Sequence, residues 1–329
     1  MTRRVSALAI VGAALAFPAA AAAQDPVPTP TPTPPPAPPA PQVPKLAIKA
    51  ERTLTVGKGA YALSGHRYRI VGALAPMMPG EHVTVQVFHD GKRKRAQKIA
   101  LAADGTFRLK VKAGKARRVS FRIVHQPTAA LAAARGPKVS VTVLRPSLSI
   151  GERGPLVRLL QRGLAELHYA VPRNDVFDDA TSRAVMAYRK VNGMSRQFTA
   201  DKRVIERVIA GKGGFKPKHP DAGRHIEADI SRQVLALIDG GKVVATYHTS
   251  TGAPATPTII GSFRVYRKDP GTNALGMYKS SYFIRGYAIH GYVSVPAFNA
   301  SHGCLRVPME DASRIYDWVQ MGTRVITYP

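Results

Sequence analysis

Across residues 45–329 the spacing of apolar residues changes period twice, which divides the chain into a strand-forming module, a helix-forming module and a second strand-forming module. Residues 45–145 alternate apolar and polar side chains in short runs. Examples are His82-Val83-Thr84-Val85-Gln86-Val87-Phe88, Thr106-Phe107-Arg108-Leu109-Lys110-Val111 and Val139-Ser140-Val141-Thr142-Val143. Turn residues bound them, His89-Asp90-Gly91-Lys92 after the first and Asp104-Gly105 before the second. Period-two runs between Asp-Gly turns predict antiparallel strands with one wet face, and several such strands predict a β-sandwich. The module reads as a spacer or adhesive domain, and its basic run Lys92-Arg93-Lys94-Arg95 reads equally as a solvated hairpin tip.

From 149 to 211 the period becomes helical. Val157, Leu160, Leu164 and Leu167 share one face behind Gly154-Pro155, with proline suited to a first helical turn. A second run follows Asp178-Asp179-Ala180-Thr181 and buries Ala184, Val185 and Tyr188. A third carries Val204, Ile205, Val208 and Ile209 and stops at Gly211. A small three-helix unit is expected. Residues 222–329 return to strands. Val234-Leu235-Ala236-Leu237-Ile238 and Val243-Val244-Ala245-Thr246-Tyr247 flank Asp239-Gly240-Gly241-Lys242 as a hairpin. Gly261-Ser262-Phe263-Arg264-Val265-Tyr266 is a further strand, and Tyr282-Phe283-Ile284-Arg285-Gly286-Tyr287-Ala288-Ile289 reads as one strand running into His290. Residues 311–319 read as a helix, and 268–281 as a mobile flap with Tyr278 its candidate substrate contact. The expected fold class is multidomain and mainly β.

Arg3 and Arg4, the apolar residues 5–17 and the small residues Ala21-Ala22-Ala23 form the pattern of a secretory signal peptide over 1–23. Residues 24–44 are mostly proline, threonine and alanine, a composition that favours a semi-rigid spacer. No later segment is apolar for long enough to span a membrane, so the mature chain is expected to be exported without a transmembrane segment, to the cell wall, periplasm or extracellular space. The formal charge of +28 is uneven: residues 45–145 carry 21 basic against 4 acidic side chains, and residues 220–329 carry 11 against 8. A basic surface attracts polyanions. For an exported chain these are anionic wall polymers or lipid headgroups rather than nucleic acid.

Cys304 is the only cysteine, so the chain has no intramolecular disulfide, and an unpaired cysteine in an exported chain reads as a reactive thiol. It lies in Ser301-His302-Gly303-Cys304-Leu305-Arg306, downstream of His290-Gly291. A thiol attacks carbonyls once a base takes its proton, and two imidazoles are at hand. Gly303 permits a tight turn that aims the amides of Gly303 and Cys304 at a developing oxyanion. No metal or organic cofactor is called for. A zinc reading with His219, His225, His290 and His302 lacks compact ligand spacing.

Ile289-His290-Gly291 together with Ser301 through Arg306 resembles the signature of the L,D-transpeptidase catalytic domain of bacterial wall enzymes. Ser250-Thr251-Gly252, Thr256-Pro257-Thr258 and Gly261-Ser262-Phe263 extend the likeness upstream. The resemblance implies Cys304 as acylated nucleophile, His290 as its base, and Gly291 as the residue whose carbonyl orients the His290 ring. His302 would line the site, the 302–304 backbone would form the oxyanion hole, Ser301 would stabilise the turn, and Arg306 would hold the loop or a substrate carboxylate. Peptidoglycan stem peptides are the implied substrates, with a three-to-three crosslink as product. The alternatives are an L,D-carboxypeptidase using water and a non-catalytic wall-binding protein. The insert between His290 and Ser301 is shorter than in the best-known members, which implies a reduced substrate rim. Gly154 through Gly193 similarly resembles a peptidoglycan-binding helical domain, with Arg189 where many relatives have glutamine, and the 45–145 module resembles immunoglobulin-like modules.

Overall fold

The computed structural model describes residues 39–329, so the signal peptide read at 1–23 and most of the spacer read at 24–44 lie outside the described residues. The first module holds nine strands: β1 (Lys45–Glu51), β2 (Leu54–Val56), β3 (Gly59–Leu63), β4 (Arg67–Ala75), β5 (His82–His89), β6 (Lys92–Ala100), β7 (Thr106–Lys112), β8 (Arg117–His125) and β9 (Ala134–Leu144). They form two sheets, β1-β4-β7 and β2-β3-β9-β8-β5-β6, in which β3 and β9 alone run parallel. Alternate residues of β4, β5 and β8 fill the space between the sheets, among them Tyr68, Ile70, Val85, Phe121 and Ile123. Burying a side chain such as Phe121 contributes roughly 2–3 kcal/mol. The basic run at 92–95 is solvated and leaves the Asp90-Gly91 turn of the β5–β6 hairpin. It begins β6, an edge strand paired only with β5 and exposed along nearly its whole length. Without a buried face it shows no alternation, and its charges guard the open edge against pairing with another chain.

Three helices follow: α1 (Pro155–Glu166), α2 (Asp179–Val191) and α3 (Lys202–Ile209). Asp178 caps α2 by accepting from the Thr181 amide (2.8 Å), and Asp201 caps α3 by accepting from the Val204 amide (2.9 Å). Their shared core includes Val157, Leu160, Leu164, Val185, Tyr188 and Val204. Arg189 is only 1 % exposed; it donates to the Thr199 carbonyl and to Asp201 (both 2.9 Å). Its guanidinium therefore holds the approach to α3 and is not offered to a surface ligand.

The last module contains β10 (His225–Asp229), β11 (Val234–Asp239), β12 (Lys242–His248), β13 (Gly261–Arg264), β14 (Arg267–Thr272), β15 (Tyr278–Ile284), β16 (Tyr287–Tyr292), β17 (Leu305–Pro308), α4 (Met309–Trp318) and β18 (Arg324–Tyr328). One sheet has the order β12-β11-β10-β18-β13 and the other β14-β15-β16-β17. Ile226, Leu235, Phe283, Ile289, Leu305, Ile315 and Val325 belong to the core they share with α4. Two sequence expectations change here. The stretch 282–289 is not one strand: Arg285, at φ 46°, and Gly286 make a tight turn that folds β15 back on β16. The segment 268–281 is a β-hairpin, not a free flap. Lys268 ties it to the end of α4 by donating to the carbonyls of Tyr316 (2.7 Å) and Val319 (2.5 Å).

The helical module joins the last module by backbone as well as side chains. The Thr246 amide donates to the His168 carbonyl (2.8 Å) and the Ala170 amide to the Thr246 carbonyl (3.1 Å), so residues 168–170 extend the sheet beyond β12. No helix among the described residues is long and apolar enough to cross a membrane.

Candidate active site

β16 and β17 run parallel, with Ile289 opposite Leu305 and His290 opposite Arg306. That register sets Cys304, one residue before β17, beside Ala288. Ala288, Met277 and Tyr282 form a small apolar cluster against which Cys304 packs. Side chains alternate along a strand, so Ala288 and His290 face one way while Ile289 and Gly291 face α4. The β16–β17 pair thus gathers Cys304, His290 and Arg306 on one face.

The His290 ring is 2 % exposed, and its Nδ1 lies 3.0 Å from the Gly291 carbonyl. A carbonyl only accepts, so Nδ1 carries the proton and a neutral ring keeps its lone pair on Nε2. Burial pushes His290 down to about 4; the Gly291 carbonyl opposes this and the Arg306 charge reinforces it. The thiol moves the other way. Burial raises Cys304 above its ordinary value, against smaller lowering effects of the Ala288 amide and Arg306. At neutral pH both groups are therefore uncharged, a thiol and a neutral imidazole on one face of the β16–β17 pair. The Cys304 Sγ contacts the Gly286 carbonyl at 3.8 Å.

The 301–304 turn is held from inside and from outside. Ser301 Oγ donates to the Cys304 carbonyl (2.6 Å) and accepts from the Gly303 amide (3.1 Å). Consequently the Gly303 amide is already engaged, although the sequence suggested it as an oxyanion donor. Gly303 sits at φ 111°, and a Cβ there would lie 1.9 Å from Tyr287 Cε1, so only glycine fits. From outside, Thr258 Oγ1 accepts from the Gly252 amide (2.9 Å) and donates to the Gly303 carbonyl (2.8 Å). Thr256 Oγ1 donates to the Ser301 carbonyl (3.0 Å), and the Ala300 and Ser301 amides both donate to the Thr251 carbonyl. Ser250 exchanges two backbone hydrogen bonds with Arg306, whose carbonyl also accepts from Thr249 Oγ1.

Arg306 stacks on the Tyr292 ring at 4.2 Å, and Tyr292 meets His290 edge-on at 5.7 Å. No carboxylate pairs with Arg306 among the described residues. His302 is exposed. Tyr278 is not on the Cys304 face: it pairs with Gly291, and its hydroxyl lies 3.4 Å from Ser313 of α4. His225 is fully buried elsewhere, against Gly223 and Glu227, and no three metal-ligating side chains converge among the described residues. Sequence reasoning gave no site role to Thr258, Gln233 or His248. The signal was present in the run His248-Thr249-Ser250-Thr251, four polar residues at a strand end that are all at most 2 % exposed.

The model of the YkuD family, the L,D-transpeptidase catalytic domain, matches residues 223–327. No curated protein matches the chain. Among solved structures, an L,D-transpeptidase (residues 123–326) from Xylanimonas cellulosilytica is 30% identical, with a TM-score of 0.53; the match covers 56% of this chain and 98% of that one. The catalytic domain of the E. faecium L,D-transpeptidase is 26% identical over 32% of this chain and 96% of that one, with a TM-score of 0.29. With its paired His290 and Cys304 strands lying inside the matched segment, this chain belongs to the L,D-transpeptidase family.

Proposed function

We propose that the chain is a cysteine-dependent L,D-transpeptidase of peptidoglycan. The observation that carries this reading is the His290 tautomer: Nδ1–H bound to the Gly291 carbonyl leaves Nε2 as a base on the face that holds Cys304. Because the thiol is raised and the imidazole lowered, the resting pair is not a thiolate–imidazolium pair. Proton transfer then accompanies attack, as general-base catalysis. Cys304 Sγ attacks the carbonyl joining the diamino acid at stem position three to the following D-alanine, and its proton passes to His290. The tetrahedral oxyanion takes a hydrogen bond from the Cys304 amide, since the Gly303 amide serves Ser301. The C–N bond breaks, His290 returns the proton to the departing D-alanine amine, and a thioester remains. A side-chain amine of a neighbouring stem then attacks the thioester, giving a three-to-three crosslink and a free thiol. Arg306, with no carboxylate partner among the described residues, favours the developing negative charge and is available to a substrate carboxylate.

The upstream modules fit the same setting. The 45–145 sandwich is read as an immunoglobulin-like spacer, the 149–211 helices as a peptidoglycan-binding domain, and residues 1–44 as a signal peptide and linker of an exported protein. The first module's excess of basic residues suits anionic wall polymers.

The test is mass spectrometry of products from the full chain and a disaccharide-tetrapeptide wall fragment. Crosslinked dimer with released D-alanine, lost in Cys304→Ala, is the expected result. Tripeptide alone would make water the acceptor and the protein an L,D-carboxypeptidase. Unchanged substrate from folded protein would overturn the catalytic reading in favour of a wall-binding protein.

A further inference from the structure

The loop between His290 and Ser301 is short and lacks regular structure from 293 to 300, yet three of its carbonyls are tied down. The Phe298 carbonyl accepts from Ser250 Oγ (2.7 Å) within the same module. The other two are held by way of the helical module. Arg196, between α2 and α3, donates from Nη1 to the Ala297 carbonyl (2.9 Å) and from Nη2 to the Ser231 carbonyl (3.0 Å). The Val295 carbonyl lies 2.9 Å from His248 Nε2, which must therefore carry that ring's proton. Nδ1 of the neutral His248 ring is then an acceptor, and Lys190 of α2 fills it at 2.7 Å. Lys190 Nζ also donates to the carbonyls of Gln233 (3.1 Å) and Thr249 (2.9 Å). Three acceptors thus surround one side-chain nitrogen that is 3 % exposed, and burial pushes Lys190 down to about 6.

From this geometry we infer that Lys190 and Arg196 of the helical module are positioning residues that fix the 293–300 rim of the cleft. The consequences reach further than the rim. Gln233, held through its carbonyl by Lys190, spans Thr251 with its side chain, accepting from the Thr251 amide (2.8 Å) and donating to the Thr251 hydroxyl. The Thr251 carbonyl in turn receives the amides that start the 301–304 turn. The segment that results keeps Val293 at 85 % and Phe298 at 60 % exposure, two apolar side chains left open to solvent. In this arrangement the helical module completes the active site in addition to any affinity it has for the wall. The inference about substrate rests on the transpeptidase reading; the anchoring itself does not.

The experiment compares full-length Arg196→Gln, Arg196→Lys and Lys190→Met with the parent. Hydrogen exchange is read on peptides covering 293–301, together with thermal midpoint and turnover of the disaccharide-tetrapeptide fragment. Arg196 is exposed, so Arg196→Gln leaves the fold intact even if Lys190→Met does not. Exchange in the rim is expected to accelerate about tenfold in both variants, with KM for the fragment rising more than kcat falls and the midpoint of Arg196→Gln nearly unchanged. Arg196→Lys, which can reach one of the two carbonyls, restores part of the protection. Unchanged rim exchange in Arg196→Gln overturns the inference, as does acceleration spread evenly over β10–β18. Inactivity of the parent on the fragment would refute the proposed function, while rim exchange still decides the anchoring.

Discussion

Thr258→Val isolates the hydroxyl that bridges the two loops of the site. Thr258 is 4 % exposed, and valine matches its shape while supplying neither donor nor acceptor. The Gly252 amide and the Gly303 carbonyl would both lose their partner. An unsatisfied buried backbone group costs about 1–3 kcal/mol, so the pair costs roughly 2–6 kcal/mol. For a cooperative unit of this size each kcal/mol lowers the midpoint by about 2–4 °C, giving a fall of about 4–24 °C. The same loss frees the Gly303 carbonyl one residue before the nucleophile. Turnover should drop by about a hundredfold, equivalent to roughly 2.7 kcal/mol in the barrier. Scanning calorimetry and wall-fragment kinetics on Thr258→Val and Thr258→Ser provide the measurement. Serine keeps both hydrogen bonds and should behave much like the parent. A valine variant within about 0.5 kcal/mol of the parent, with parental turnover, would refute the view that Thr258 supports the 301–304 turn.

Three further outcomes follow from the same site. His290 must be neutral to act as a base; with its value held down at about 4, turnover should persist through pH 6.5 and fall only near pH 4, and an acid limb near 6.5 in the kcat/KM profile would contradict the neutral-pair mechanism. The linked stability has the same sign: unfolding lets His290 bind a proton below 6.5, so roughly 3 kcal/mol is lost as pH falls from 6.5 to 4, readable by denaturant titration. Gly303→Ala forces a Cβ into Tyr287 at a φ that L residues avoid, so it should cost at least about 1–3 kcal/mol and abolish turnover; a parental midpoint and rate would show that the turn adapts.

What the sequence revealed depended on whether a segment's burial repeats with one period. β5 and β7 alternate because one face of each is wet, and α1 to α3 show a single apolar stripe, so each could be read directly. β10 could not, because His225-Ile226-Glu227-Ala228-Asp229 is buried on both faces and its polar side chains pair internally. β18 escaped notice for a similar reason: as a central strand its identity comes from β10 and β13 on either side, not from its own pattern. The placement of Cys304 and His290 on one face was legible because a thiol and an imidazole, each beside a glycine, stand out in the sequence. Lys190 was invisible, since it sits on α2 like a solvated lysine, and its acceptors come from residues 43 to 59 positions away. The placement of Tyr278 failed for want of a register: a bulge between Tyr278 and Ser281 decides which face the ring takes.

The raised thiol has a consequence for survival outside a reducing environment. Oxidants react with thiolate, so a sulfur kept protonated by burial climbs slowly towards sulfenic and sulfinic acids. With no second cysteine, no resolving disulfide within the chain could rescue an oxidised Cys304. A preformed thiolate would be more reactive towards substrate and more vulnerable between substrates. In the proposed mechanism, deferring ionisation to the moment of attack makes Cys304 durable, at the cost of relying on His290 in every turnover.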